Sequence, residues 1–200
     1  MGEIGEFSKD MRARKRQAKE RNPPRRRCHD WMIVSGSCHY AKNRSAFTTY
    51  RRVGRQMGGG LSSIYVAGIG TVRLQVRSSA ARGAPTRTLE LHNVLHTPGT
   101  ICNGFNSMAW LRSEGGPSTD PYSGTDELDA PFWYSKEFLG LNRLVLAGNP
   151  QGESYLPRDT ALALSLYIDS MDLKEISTPR PNPPPHPQAP IIMTGLAFLV

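Results

Sequence analysis

The chain has 200 residues, 38% of them hydrophobic, with 19 glycines and 16 prolines, a make-up that suits one small loop-rich β domain with extensions better than a compact helical one. No stretch approaches the roughly 20 apolar residues of a membrane span, and the N-terminus lacks the apolar centre of a signal peptide, so a soluble intracellular protein, nuclear or cytoplasmic and without a membrane partner, is expected. The net charge of +8 is local: between Lys9 and Arg27 lie ten Lys or Arg against two acids, and the rest carries fifteen of each sign, so the charge of the domain itself implies no general polyanion affinity.

Residues 1–29 read as a disordered basic arm, because the segment around Met11–Arg21 offers almost no apolar face for a helix to dock. Texture changes at Trp31. Trp31-Met32-Ile33-Val34, stopped by Ser35-Gly36-Ser37, predicts a buried strand entering a tight turn, and Phe47–Tyr50 a second, weaker strand. Ile64–Arg77 carries the best strand signal. Val72, Leu74 and Val76 alternate there with Arg73, Gln75 and Arg77, the period of a sheet with one wet face, and Gly68 and Gly70 suit a bulge or bend midway.

A loop over 78–86 leads to Thr88–Leu95, with Leu89, Leu91 and Leu95 expected on one face and Thr97-Pro98-Gly99 closing the strand. The two long strands are expected to pair as an antiparallel hairpin. Met108–Leu111 suggests a short helix, 113–130 an insertion or disordered loop, and Phe132–Leu146 a return to the sheet with Arg143–Leu146 as a strand. Residues 147–178 form an extension in which Thr160–Ile168 is ambiguous between helix and strand. Seven of the twelve residues from Pro179 to Pro190 are proline, so 179–200 reads as a proline-rich tail.

Three cysteines, Cys28, Cys38 and Cys102, make no even-numbered disulfide framework and are expected to be reduced. Cys28-His29 and Cys38-His39 match no compact zinc spacing. His92 and His96 would sit roughly 13 Å apart on one side of an extended strand, too far for one ion. Neither a metal nor a cofactor is expected. Ser35 and Ser37 near His39 invite a nucleophile-and-base reading, but no acid partner accompanies them.

The arm itself, with Arg12, Arg14, Lys15, Arg16, Lys19, Arg21, Arg25, Arg26 and Arg27, can neutralise phosphates and release counterions, giving salt-sensitive, sequence-indifferent binding to RNA or DNA. No aromatic residue is interleaved for base stacking. Nuclear localisation and a plain solvated linker are equal uses of such a cluster.

The apolar strand running into Ser35-Gly36 resembles the active-site turn of retroviral-type aspartic proteases. Val66-Ala67-Gly68-Ile69-Gly70-Thr71-Val72-Arg73-Leu74, then Leu91-His92-Asn93-Val94-Leu95-His96-Thr97-Pro98-Gly99, then Ile101-Cys102-Asn103 follow in order. Together these are similar to the protease-region barrel of copia-type and tobacco TNT-type Pol polyproteins, related stand-alone copies of which recur in fungal genomes, over about Asp30 to Leu111. The resemblance implies a mainly β fold, a small closed or nearly closed antiparallel retropepsin-like barrel over 30–146, and a possible homodimer. It also implies an aspartate before Ser-Gly as the functional residue, two of which share a proton and activate water. Val34 stands at that position, and Asp30, four residues back and roughly 13 Å along a strand, cannot replace it. The degenerate turn Val34-Ser35-Gly36 therefore implies a non-catalytic relic or a reused binding module rather than a protease. The alternative is a nucleic-acid-associated protein acting through its arm.

Overall fold

The computed structural model describes residues 27–58, 63–117, 120–158, 160 and 162–178. The expected basic arm up to Arg26 and the tail over 179–200 lie outside them.

The alternating segments form the frame. Strand β3 (Phe47–Met57), β4 (Ile64–Arg77) and β5 (Thr86–His96) make a three-stranded antiparallel meander. On the wet face of the hairpin Arg73 Nε donates to Glu90 Oε2 at 2.6 Å and Gln75 to Thr88 at 3.0 Å. On the other face Val72, Leu74, Val76, Leu89 and Leu91 are buried, as the period-two pattern demands.

That period breaks once. The pairing shifts between Gly70↔Val94 and Val72↔Leu91, with Asn93 at φ 53°, so His92 and Asn93 together oppose one residue of β4. An extra residue reverses facing beyond it. Val94, not Leu95, joins Leu89 and Leu91 in the barrel core, and Leu95 belongs to a second apolar cluster. The expected single face for Leu89, Leu91 and Leu95 is corrected accordingly.

Strand β1 (Trp31–Ile33) and β2 (Tyr40–Ala41) flank β6 (Asn103–Phe105), which runs parallel to β1 and antiparallel to β2. With β2 also parallel to β5, the sheet is mixed rather than purely antiparallel. The insertion is tight: a Cβ on Gly104 would come within 2.2 Å of the Tyr40 ring. Helix α1 (Ser107–Ser113) follows, its first turn capped by the Asn106 side chain accepting from Ala109 N at 3.0 Å. It buries Trp110 against Trp133 and Phe132. The expected loop over 113–130 includes a strand, β7 (Ser123–Thr125), paired with β8 (Pro131–Phe138), which turns into β9 (Leu141–Leu144).

The nine strands among the described residues run in the order β3-β4-β5-β2-β6-β1-β9-β8-β7. The sheet is not closed strand to strand. Past β9, however, the chain runs against the far end of β4: Arg77 N donates to Val145 O at 3.0 Å, Ala147 N donates to Gln75 O at 2.8 Å, and Val76 bridges Leu146. The fold is thus mainly β and barrel-like. Trp31, Phe47, Val72, Leu89, Phe105 and Trp133 fill its interior.

The second cluster lies outside that interior and includes Met32, Val34, Cys38, Met57, Val66, Ile69 and Leu95. The extension covers it. Leu162, Leu164, Leu166 and Ile168 alternate inward with exposed Ala163, Ser165 and Tyr167, so this ambiguous segment is extended. Helix α2 (Ser170–Ser177), which the sequence pattern did not suggest, then buries Ile176. No helix among the described residues is long and apolar enough to cross a membrane.

Candidate active-site turn and its cover

The chain leaves β1 at Ile33 and must cross the end of β6 to reach β2. Asn106, just past β6, holds this crossing together. Its side-chain amide donates to Gly36 O at 2.9 Å, and its backbone N–H donates to His39 Nδ1 at 3.1 Å. Val34 N donates to Phe105 O at 2.9 Å. Gly36 sits at φ +125°, a conformation that side chains with a Cβ rarely adopt.

His39 stacks on Phe105 with ring centroids 5.6 Å apart. Because Nδ1 accepts a backbone proton, the neutral ring carries its own proton on Nε2. Burial, with the nearby His92 adding to it, pushes His39 down to about 4. A histidine in this state is a fixed structural acceptor at neutral pH. Cys38 beside it is pushed up to about 12 by burial, so the thiolate needed for nucleophilic chemistry does not form there.

Val34 is buried among aliphatic and sulfur side chains. Over the turn lies the extended segment. Gly36 bridges Leu166 in parallel, Ser37 N donates to Leu166 O at 3.0 Å, and Ile168 N donates to Ser37 Oγ at 2.8 Å. Ser35 Oγ meets Ser165 Oγ at 2.6 Å, and Tyr40 Oη donates to Leu164 O at 2.6 Å. A Cβ on Gly36 would lie 2.3 Å from Leu166 O. The extension thus lies against the turn and Val34 is buried, while Ser35 and Ser37 stay exposed and a cavity of about 370 Å³ opens beside Ser37, Cys38 and His39.

Ser35 and Ser37 bond to the covering segment, and His39 Nδ1 bonds to Asn106, so no serine–histidine pair forms. Asp30 is fully buried. Its Oδ1 accepts from Arg143 Nη1 at 3.0 Å, tying the residue before β1 to β9, while Oδ2 has no hydrogen-bond partner among the described residues. His92 and His96 do not share a side: the bulge leaves His92 exposed near Glu90 and Glu114, whereas His96 is buried with Nδ1 2.9 Å from Tyr50 Oη. Burial holds His96 below its usual value. All three cysteines are free and buried in or beside the second cluster. No group of three or more His, Cys, Asp or Glu among the described residues is placed to hold a metal ion. Of the arm cations only Arg27 is described, and it is exposed, its carbonyl accepting from Glu153 N. Arg12, Arg14, Lys15, Arg16, Lys19, Arg21, Arg25 and Arg26 lie outside the described residues.

Sequence reasoning missed Asn106 as the organiser of the turn and the extension as its cover. The cover had a signal in the period-two run Leu162, Leu164, Leu166, Ile168.

Residues 31–115 match the family model described as the Pol polyprotein, beta-barrel domain. The match takes in β1 to β6 and α1, and ends before β7, β9 and the covering segment. No curated protein and no solved structure matches the chain.

Proposed function

We propose, from the premise that residues 31–115 are a β-barrel domain of the retrotransposon Pol polyprotein type, that this barrel is non-catalytic and acts as a binding module. The observation that carries the reading is Val34. In the resemblance drawn from the sequence it occupies the place of the aspartate, and its side chain is buried in the second apolar cluster, against which Leu166 packs. Valine has no ionisable group with which to share a proton or activate water. Asp30 cannot act in its stead, because Arg143 holds it on the β9 side of β1. Turnover of an unbiased peptide library between pH 4 and 7 tests the reading. Equal, background-level cleavage by the wild type and by Val34→Ala is expected, and cleavage lost in Val34→Ala would overturn it.

The charge distribution favours a second reading, in which the arm binds nucleic acid and the barrel anchors it. Ten cations against two acids in nineteen residues would give non-specific binding to RNA or DNA that weakens steeply with salt. Deleting residues 1–27 should abolish such binding; retention of full affinity by the deleted chain would rule the arm out.

A further inference from the structure

We propose that the β3 side of the barrel is a binding face for single-stranded nucleic acid, with Tyr65 and Arg44 stacking on bases and Arg52 pairing with phosphate. The inference names a partner for the binding-module reading and rests on it.

The charge of the domain is neutral in sum but not in place. Residues 31–89 hold nine Lys or Arg and no acid, whereas residues 90–178 hold five against twelve acids. Three of the nine meet carboxylates: Arg55 meets Glu175 and Asp172, Arg73 meets Glu90, and Arg87 lies 3.9 Å from Asp126. Arg44 and Arg52 are exposed and form no ion pair among the described residues.

These two cations flank an aromatic ring. Tyr50 and Arg52 alternate onto one face of β3, opposite Gly70 and Gly68. The Tyr50 ring takes the space that a side chain on Gly68 would need, since a Cβ there would fall 2.2 Å from its Cζ. Its hydroxyl is fixed 2.9 Å from His96 Nδ1. Arg44 lies over the same ring, 3.8 Å from the centroid. Arg52 and Tyr65 complete the charged and aromatic surroundings of Tyr50. Tyr65, across from Gln56 on the neighbouring strand, is 42% exposed. Strand β3 pairs with β4 alone, so no further strand among the described residues borders its outer edge.

A guanidinium stacked on a ring is held flat and pre-oriented, ready for a base or a phosphate. An exposed ring beside unpaired cations is the combination that holds single strands, with bases on the π faces and phosphates on the cations. An acidic peptide would satisfy the cations and leave Tyr65 unused. A duplex hides its base faces, and the basic arm has no ring to offer.

The test titrates the full-length chain with a labelled oligo-dT about a dozen nucleotides long and with a duplex of the same length. Tighter binding of the single strand is expected. Tyr65→Ala should weaken it about 5- to 150-fold, the range for one lost base–aromatic stack, and Tyr65→Phe should not. Arg44→Ala should weaken it too, and Arg52→Ala should lower the salt slope by about 0.7. Arg82→Ala, which removes an exposed cation beyond the far end of β4, should leave the affinity as it is. Equal affinity for single strand and duplex, untouched by Tyr65→Ala, would assign the binding to the arm and overturn the proposal. Displacement of oligo-dT by polyglutamate at equal charge, again untouched by Tyr65→Ala, would overturn it in favour of an acidic polypeptide. Peptide turnover reads the loss of catalysis independently, so that reading can stand while this partner fails.

Discussion

Replacing Val34 by aspartate puts a carboxyl group where the resemblance would have one, and the structure gives the consequence. The side chain enters a cluster of Met32, Cys38, Met57, Val66, Ile69 and Leu95 closed over by Leu166. Losing the buried valine costs about 2 kcal/mol, and burying a polar group without a partner adds roughly 1–3 kcal/mol. The sum, about 3–5 kcal/mol, corresponds to a fall of about 6–20 °C in Tm for a chain of this size. Desolvation raises the new carboxyl above the ~3.9 of an unfolded aspartate. A raised folded-state value means the variant is least destabilised below about pH 4 and loses further stability as pH rises. Thermal melts of Val34→Asp and Val34→Asn at acid and neutral pH read this directly. Both should be destabilised, and only the aspartate should add a pH dependence. A Val34→Asp chain melting within about 1 °C of wild type at neutral pH would refute the reasoning, because it would mean the turn opens to water.

Gly104→Ala should destabilise by about 1–3 kcal/mol, since its Cβ would press on the Tyr40 ring; urea unfolding checks it, and an unchanged midpoint would argue against the wedged β6. Asp30→Ala should cost about 1–3 kcal/mol, below the range for a fully buried pair, because the Arg143 left behind is about one-third exposed and can reach water; Arg143→Ala should cost more, because it strands the fully buried Asp30 carboxylate, and a double variant less destabilised than the sum of the two would show that they act together. His39, held near 4 when folded against about 6.5 unfolded, contributes stability that is full above pH 6.5 and falls away as pH drops toward 4. Urea titrations across that window should show a loss of about 3 kcal/mol in the wild type, flattened in His39→Gln.

The hairpin of β4 and β5 was legible because strict alternation over Val72–Val76 leaves one reading of which side is buried. Its limit was His92-Asn93. A bulge reverses the facing of everything beyond it, and nothing in the run of residue types marks where the extra residue sits. The mixed order of β1, β6 and β2 depends on contacts more than 60 residues apart in sequence, such as Tyr40↔Gly104, which local patterning cannot carry. Thr160–Ile168 was ambiguous because alanine and leucine serve helices as well as strands, and only the sheet beneath selects the period-two face. Val34 itself was readable from the chain. Its burial was not, because the residues that cover it lie about 130 positions downstream.

Hydrogen exchange at the Ser37 and Ile168 amides is the most direct test of whether the extension is docked on the turn at 34–37. Both N–H groups are bonded across the contact between turn and cover. Protection of the two rising and falling together, and lost together in Leu166→Asp, is the result expected of a docked extension. Exchange of both at the rate of an unstructured chain, in a protein whose β4 and β5 amides remain protected, would contradict it.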